Sequence, residues 1–210
     1  MRGWPGGAEP IEMRTATITT FFALTVAFAG CGQGSYDMTE HKGLVTFKGN
    51  PLTLLGDQVT VGQAAPPFTV LDNDLKPLTL ADFKGKVLLI SAVPSLDTPI
   101  CDLETRRFNE EAAQLGPGVV VLTISMDLPF AQKRWCGAHG ITAVKTASDH
   151  REASFGLAYG VLIKELRLLA RTIFLVDASG KIAYIQHVGE VAHEPDYADV
   201  LKALAKASAR

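Results

Sequence analysis

Two apolar runs, Val87 to Val93 and Val119 to Ser125, stand out along the chain, and each is followed by a segment with helical features. Apolar runs of this length are typical of strands that are buried on both faces of a sheet. The segments that follow, about Pro99 to Leu115 and Pro129 to Cys136, are predicted to be helices. This strand–helix–strand–helix order predicts an α/β protein in which helices cover a central sheet.

Shorter elements complete the pattern on both sides of this core. Leu44 to Lys48 and Leu52 to Leu54 flank Gly49-Asn50-Pro51 and predict an N-terminal β-hairpin. The remaining predicted strands are Phe68 to Leu71, Leu78 to Leu80, a short one near Val144, Thr172 to Val176 and Ile182 to His187, and the remaining predicted helices are near Glu152 to Ala158 and Tyr197 to Ala207. The predicted fold class is therefore α/β, with a central mixed β-sheet flanked by helices and an N-terminal hairpin.

The segment that starts at Met13 has the pattern of a secretion signal. Arg14 supplies a positive charge, and Ala16 to Ala29 is uncharged and mostly apolar. This run is too short to span a bilayer comfortably, but it suits the hydrophobic region of a signal peptide. We therefore expect Met13 to be the true start and the protein to be exported to the periplasm or membrane surface of a bacterium. A cytoplasmic location follows if the leader is not functional.

Cys31 directly follows the small residues Ala29 and Gly30, as in a bacterial lipobox. Such a cysteine becomes the acylated first residue of the mature chain, and its acyl chains hold the protein at a membrane without a spanning helix. Phe28 departs from the aliphatic residue that is usual three places before that cysteine. The alternative is ordinary cleavage after Ala27-Phe28-Ala29, which leaves Cys31 as an idle thiol.

Composition and charge narrow the possibilities for the rest of the chain. Of its 210 residues 47% are hydrophobic and 20% are charged, and the formal net charge is -2, which is ordinary for a soluble α/β domain. No basic run indicates a nucleic-acid partner, and the 5 histidines show no metal-ligand spacing, so we expect neither a metal nor another cofactor. The predicted organisation is a signal peptide over residues 1–31, a flexible linker over 32–43 and a folded domain over 44–210.

The segment from Pro94 to Cys101 lies between a buried strand and a helix. Thr98 suits the N-cap position and Pro99 the first helical position, so Cys101 is predicted to be the third residue of the helix. A sulfur there lies among unpaired backbone N–H groups at the positive end of the helix dipole, and both effects favour the nucleophilic thiolate over the thiol. Cys101 also shares a helix face with Phe108, so we expect it in a sheltered hollow.

Three other interpretations of Cys101 stay open on these residues alone. It can be a buried core cysteine, although Thr98-Pro99 directly before it argues for a helix terminus. It can form a permanent structural disulfide with Cys136, which is common after export. Finally, the residues before it can be ordinary helix capping beside a cysteine that is there by chance.

A family resemblance bears on this choice. The string Pro94-x-x-x-Thr98-x-x-Cys101 resembles the active-site signature of the peroxiredoxins. The longer strings that resemble the bacterial thiol peroxidase branch of that family are Pro94-Ser95-Leu96-Asp97-Thr98, Asp127-Leu128-Pro129-Phe130-Ala131-Gln132 and Cys136-Gly137-Ala138. The resemblance covers about Val45 to Lys206. It implies a thioredoxin-like fold and the reduction of hydrogen peroxide and organic hydroperoxides by thiol chemistry.

The resemblance also assigns roles to the matching positions. Cys101 is expected to be the peroxidatic cysteine, with the Thr98 hydroxyl as its partner and Pro94 shielding the pocket, and Arg171 matches the active-site arginine of the family. A thiolate that attacks one peroxide oxygen pushes negative charge onto the other, and a guanidinium and a hydroxyl aimed there stabilise that charge. Cys136 is expected to resolve Cys101 through an intramolecular redox disulfide. The family further implies recycling by thioredoxin or a thioredoxin-like reductant, and a homodimer.

Cys136 ends the short predicted helix, with Gly137 placed to terminate it. The negative end of the helix dipole favours the thiol there, which is the reverse of the situation at Cys101. Because each sulfur is expected within a packed helix, closing a bond of about 2 Å between them requires local unwinding of one or both helices.

Two rival functions are considered. One is an exported thioredoxin-fold lipoprotein with a structural Cys101–Cys136 disulfide and no peroxidase activity. The other is a disulfide oxidoreductase of the thioredoxin type, which normally uses a Cys-x-x-Cys motif that this chain lacks.

Overall fold

The computed structural model of the protein describes residues 38–209. Its strands are β1 (Glu40–Phe47), β2 (Asn50–Leu55), β3 (Thr69–Leu71), β4 (Pro77–Thr79), β5 (Val87–Ala92), β6 (Val119–Ser125), β7 (Lys145–Ser148), β8 (Leu162–Ile163), β9 (Thr172–Val176) and β10 (Ile182–His187). Its α-helices are α1 (Pro99–Ala112), α2 (Pro129–His139), α3 (Ser154–Ala158) and α4 (Tyr197–Ser208), and a 3₁₀ helix covers Leu80–Phe83. Residues 1–37, which include Cys31 and the predicted signal peptide, lie outside the described part of the chain.

Seven strands form one mixed sheet in the order β10-β9-β5-β6-β7-β3-β4. The pairs β5–β6 and β6–β7 are parallel, because α1 and α2 carry the chain across between them, and the other pairs are antiparallel. This arrangement confirms the predicted fold class.

The central strand β5 is buried on both faces, as its apolar run predicts. On one face Val87 and Leu89 pack in a cluster with residues of α1 and α4. On the other face Leu88 and Ile90 pack in a cluster with residues of α3 and of the small sheet β1-β2-β8. The sheet is therefore the middle layer between helices on one side and the N-terminal hairpin on the other.

The N-terminal hairpin is confirmed, with small differences in its bounds. β1 starts at Glu40, so residues 40–43 are part of the hairpin rather than of the predicted linker. Its turn is Lys48-Gly49, where both residues have positive φ (51° and 77°), rather than the predicted Gly49-Asn50-Pro51. Positive φ at both central residues is the geometry whose twist matches that of the two flanking strands.

The ends of three helices differ from the sequence prediction. α2 continues one turn beyond Cys136 to His139, and it is Gly140, with a φ of +62°, that terminates it instead of Gly137. Cys136 therefore lies in the last turn of α2 rather than at its end. α1 stops at Ala112 instead of Leu115, and α3 is shorter than predicted because it begins only at Ser154. No helix within residues 38–209 is both long and apolar enough to cross a membrane.

Candidate active site

Cys101 is the third residue of α1 and is completely buried, at 0% exposure. Thr98 occupies the N-cap position with an extended backbone, and Pro99 is the first helical residue, as predicted. The Thr98 hydroxyl donates to the carbonyl of Ser95 at 2.9 Å instead of accepting from the helix. The Thr98 side chain therefore leaves the backbone N–H groups in the first turn of α1 uncapped, and their partial positive charge stays close to the Cys101 sulfur.

The antiparallel pairing of β5 with β9 brings Arg171 to this sulfur. Ala92 at the end of β5 pairs with Thr172 at the start of β9, so the segment that leaves β5 lies beside the residue that enters β9. Arg171 is 1% exposed, and its Nη2 donates a hydrogen bond to Cys101 Sγ at 3.2 Å. The predicted arginine and the predicted nucleophile are therefore in direct contact.

Glu104 holds the other side of the Arg171 guanidinium. It lies three residues after Cys101 on the buried face of α1, is 0% exposed, and accepts a hydrogen bond from Arg171 Nη1. Ser91 on β5 donates to its other oxygen at 2.5 Å. Burial raises the pKa of Glu104 above its ordinary value, and Arg171 and Ser91 oppose this shift. The carboxylate gives the buried guanidinium a counter-charge and a fixed orientation.

A cavity of about 390 Å³ opens on the outer side of the guanidinium. Its lining is mostly apolar and includes Phe47, Pro94, Thr98, Ile100, Arg171 and Val191. Arg171 belongs both to this lining and to the surroundings of Cys101. The cavity can therefore bring a small molecule with an apolar body to the guanidinium that contacts the sulfur.

Cys136 packs beside the residues that surround Cys101. Its side chain, which is partly buried, packs against the apolar cluster that contains Cys101 and Trp135. Its Sγ is 3.3 Å from Thr146 Oγ1 and 3.9 Å from Asn73 Nδ2. Within the described residues both thiols are free.

A polar contact joins the two helices that carry the cysteines. Asp102 on α1 contacts His139 on α2, with 3.3 Å between Oδ1 and Nε2, and also pairs with Arg106 at 2.8 Å. The His139 ring stacks on Trp135 with 4.7 Å between the ring centroids, and its Nδ1 is 2.9 Å from the Trp135 carbonyl oxygen. Any separation of α1 from α2 has to break this contact.

Comparison with known proteins identifies the family. The redoxin family matches residues 60–201. The chain is 60% identical over 159 residues to the thiol peroxidases of Halalkalibacterium halodurans and Bacillus subtilis, and each alignment covers 76% of this chain and 95% of the relative. The chain belongs to the redoxin family.

Solved structures agree with this assignment. This redoxin is similar to a peroxiredoxin-like protein from Aquifex aeolicus, with a TM-score of 0.73 and 44% identity, over 79% of this chain and 98% of that one. A thiol peroxidase from Chromobacterium violaceum has a similar fold, with a TM-score of 0.69 and 23% identity over 77% of this chain and 95% of that one. The two structures confirm the predicted thioredoxin-like fold. The identity to the two thiol peroxidases shows that the chain is an enzyme of the peroxiredoxin type, which reduces peroxides with a thiol.

The structure places the predicted site residues of this redoxin close together. Pro94, Thr98 and Arg171 line one cavity, and Arg171 contacts Cys101. Neither cysteine is in the cavity lining: Cys101 belongs to the neighbouring apolar cluster, and Cys136 packs against that cluster. Among the described residues, His, Cys, Asp and Glu side chains form no group of three or more that could hold a metal ion.

Three contributors to the site were missed by sequence reasoning, namely Glu104, Ser91 and the carbonyl of Val191. For Glu104 a signal existed, because a carboxylate three residues after Cys101 falls on the same helix face as the apolar Phe108. Ser91 interrupts the apolar strand β5, but its partner Glu104 lies on α1, so the sequence does not reveal the contact. The backbone carbonyl of Val191 accepts hydrogen bonds from Arg171 Nε and Nη2, and a backbone group leaves no trace in the residue type.

Proposed function

We propose that the chain reduces hydroperoxides with Cys101 as the attacking thiolate. The observation that carries this assignment is the 3.2 Å hydrogen bond from Arg171 to the Cys101 sulfur, between side chains that are both almost completely buried. In a site buried away from solvent a fixed guanidinium interacts strongly with negative charge, and it needs no reorganisation when the reaction occurs. The helix start at Thr98-Pro99 adds partial positive charge on the same side.

In the first step the sulfur attacks the terminal oxygen of a hydroperoxide R–O–OH. The S–O bond forms as the O–O bond breaks, and the electron pair of the O–O bond leaves with the other oxygen as an alkoxide, or as hydroxide from hydrogen peroxide. This oxygen takes up a proton and departs as an alcohol or water, and Cys101 is left as a sulfenic acid. Arg171 stabilises the charge on the departing oxygen.

Thr98 and Pro94 complete the surroundings of the bound peroxide. Both line the cavity that Arg171 faces. The Thr98 hydroxyl donates to Ser95 in the resting structure, so it has to rotate to hydrogen-bond a bound peroxide. Pro94 is buried and has no N–H group, so it supplies an apolar wall that keeps water from the site.

In the second step the Cys136 thiol attacks the sulfenic sulfur. An intramolecular S–S bond forms, and the oxygen leaves as water. The shared apolar cluster supports this pairing, because it holds both cysteines on neighbouring helices. Both residues are within helical turns, so the bond requires local unwinding of α1 or α2. A thioredoxin-like dithiol then reduces the disulfide and is itself oxidised.

The cavity favours organic hydroperoxides over hydrogen peroxide. Its lining of Phe47, Pro94, Ile100 and Val191 offers an alkyl group contact that hydrogen peroxide cannot use. The expected measurement is a higher rate constant for Cys101 oxidation by cumene hydroperoxide than by hydrogen peroxide. A preference for hydrogen peroxide would contradict this substrate assignment.

Export, lipid anchoring through Cys31 and homodimer formation belong to the same proposal. The support for export and anchoring is the apolar run before Cys31 and its lipobox-like sequence, and the support for the dimer is the family. Fractionation of cells that express the full chain, compared with Cys31→Ser, tests the anchor. The wild type is expected in the membrane fraction and the variant in the soluble periplasmic fraction. Sedimentation of the purified protein tests the dimer.

The central test is stopped-flow measurement of peroxide consumption by wild type, Cys101→Ser and Cys136→Ser, with the oxidised products mapped by mass spectrometry. Wild type is expected to form the Cys101–Cys136 disulfide and to turn over with thioredoxin. Cys101→Ser is expected to consume no peroxide, and Cys136→Ser to react without closing a disulfide.

Two outcomes would contradict parts of this proposal. Products linked only between chains through Cys101 would remove Cys136 as the resolving cysteine. A wild-type chain that consumes no peroxide, and whose melting temperature falls strongly on reduction, would instead support a structural disulfide.

A further inference from the structure

A backbone carbonyl, that of Val191, holds Arg171 together with the Glu104 carboxylate. The carbonyl oxygen of Val191 accepts hydrogen bonds from Arg171 Nε at 3.2 Å and from Nη2 at 3.1 Å. The same Nη2 donates to the sulfur of Cys101. The Val191 carbonyl therefore contributes, with Glu104, to the direction from which the guanidinium faces the sulfur.

The loop that carries Val191, between β10 and α4, is attached to the N-terminal hairpin. The Val191 N–H donates to the Thr46 carbonyl at 2.9 Å, and the Thr46 N–H donates to the Gly189 carbonyl at 2.7 Å. These bonds pair the loop with β1 through an isolated parallel β-bridge between Thr46 and Glu190. Thr46 is close to the hairpin turn Lys48-Gly49, so the position of this turn bears directly on Val191.

The side chain of Glu190 joins the turn to the loop. Its carboxylate accepts from the backbone N–H of Lys48 at 3.0 Å, from that of Gly49 at 3.1 Å and from the Thr46 hydroxyl at 2.8 Å. It also accepts from the N–H of Ala192 in its own loop at 3.2 Å. The Gly49 N–H above all, with the other donors, lowers the pKa of Glu190 to about 2, so the carboxylate stays charged near neutral pH.

We propose that Glu190 is a positioning residue for peroxide reduction: it clamps the hairpin turn onto the loop, fixes the Val191 carbonyl and so aims Arg171 at Cys101. This inference rests on Cys101 being the attacking thiol and adds a residue that lies outside the immediate contacts of the sulfur. Its influence passes through the backbone, because the carboxylate binds N–H groups of the hairpin and of its own loop.

The chain offers a matched control in Glu165, which lies between β8 and β9. Its carboxylate accepts from the Thr53 N–H of β2 at 3.0 and 3.1 Å, so it also anchors the hairpin through a backbone donor. These contacts lead to the middle of β2 and not to the loop that carries Val191. A general loosening of the hairpin is thus common to Glu165→Gln and Glu190→Gln, whereas displacement of Val191 is specific to the second variant.

The experiment measures the rate constant for oxidation of Cys101 by hydrogen peroxide and by cumene hydroperoxide in the full-length chain. A Cys136→Ser background restricts the reaction to the first step. In this background Glu190→Gln and Glu190→Asp are compared with Glu165→Gln, and iodoacetamide alkylation of Cys101 is measured in parallel. Alkylation needs the thiolate, but it does not need a guanidinium aimed at a departing oxygen. The ratio of each peroxide rate constant to the alkylation rate therefore reports the orientation of Arg171. A purely structural role of Glu190 would leave this ratio unchanged.

Glu190→Gln is expected to lower both peroxide rate constants by roughly ten- to a hundredfold, the effect of a misplacement of about 1 Å, and to lower the alkylation rate much less. Glu190→Asp, which keeps the charge, is expected to recover part of the loss, and Glu165→Gln to stay within about twofold of the background. A Glu190→Gln rate within twofold of the background would overturn the inference. So would equal losses in Glu190→Gln and Glu165→Gln. If Cys101 is not oxidised even without these substitutions, the proposed function itself fails.

Discussion

Glu104 and Arg171 form an ion pair whose side chains are 0% and 1% exposed, directly behind the sulfur of Cys101. Two charges buried together are costly to separate, because whichever remains has lost both its partner and its water. The pair therefore bears both on the free energy of unfolding of the domain and on the rate of Cys101 oxidation. Both quantities can be measured on one variant.

Replacement of Glu104 by glutamine removes the counter-charge while keeping the shape. We expect the free energy of unfolding to fall by about 3 kcal/mol and the rate of Cys101 oxidation to fall as well, because the guanidinium loses one of its fixed partners. Urea denaturation and stopped-flow kinetics measure the two effects. Glu110→Gln, on the exposed side of the same helix, is the control and should leave both unchanged. A stable, fully active Glu104→Gln would show that Arg171 holds its position without the carboxylate.

Arg171→Lys tests whether the forked guanidinium is needed or only its charge. An ammonium group cannot contact Cys101, Glu104 and the Val191 carbonyl together, since it has no planar fork. The rate constant for Cys101 oxidation is expected to fall by roughly a hundred- to a thousandfold, as when one donor to a developing oxyanion is lost. The exposed Arg151→Lys serves as the control. A lysine variant within threefold of wild type would reduce the role of Arg171 to simple electrostatics.

The contact between Asp102 and His139 is expected to slow closure of the Cys101–Cys136 disulfide, because the helices must separate there first. His139→Gln should increase the rate of disulfide formation from the sulfenic acid by roughly two- to fivefold, the range set by a partly exposed ion pair.

Rapid-quench mass spectrometry measures the disulfide and sulfenic acid fractions after peroxide addition. Asp102→Asn should reproduce the effect of His139→Gln, whereas His41→Gln, on the N-terminal hairpin, should not. If both Asp102→Asn and His139→Gln form the disulfide at the wild-type rate, helix separation does not limit resolution.

Asp149 makes the stability of the fold depend on pH. Burial raises its pKa from 3.8 to about 6, although its carboxylate accepts from the N–H groups of Phe155 and Gly156 at 3.1 and 2.8 Å. Between these pH values the folded chain binds a proton that the unfolded chain does not, so this residue increases stability as the pH falls. Relative to Asp149→Asn, the wild type should gain about 1.3 kcal/mol in unfolding free energy from pH 7 to pH 5. Urea titrations at the two pH values check this, and a constant difference would contradict it.

The start of α1 was predictable because its determinants are local. Thr98 and Pro99 mark the first turn through their own backbone preferences, and this placed Cys101 correctly in the helix. The end of α2 was not placed correctly, because two glycines compete there. Gly137 is compatible with helix and remains within it, while Gly140 adopts the left-handed conformation.

The partners of Arg171 could not be predicted in the same way. Glu104 is 67 positions away and Val191 20 positions away, and only the register between β5 and β9 and the path of the last loop bring them together. The sequence shows that position 104 is a glutamate, but only the tertiary packing determines that its partner is Arg171. The carbonyl of Val191 is invisible at that level, since every residue has one.

Trp135 packs in the same apolar cluster as Cys101 and stacks on His139, one position before Cys136. In the proposed catalytic cycle, closing the disulfide separates α1 from α2 at this cluster, so we expect the Trp135 indole to pass from apolar surroundings to water. The fluorescence emission of Trp135 is therefore expected to shift to longer wavelength on oxidation and to return on reduction. Single turnovers can be followed on unlabelled protein, with Trp4→Phe removing the only other indole in the chain.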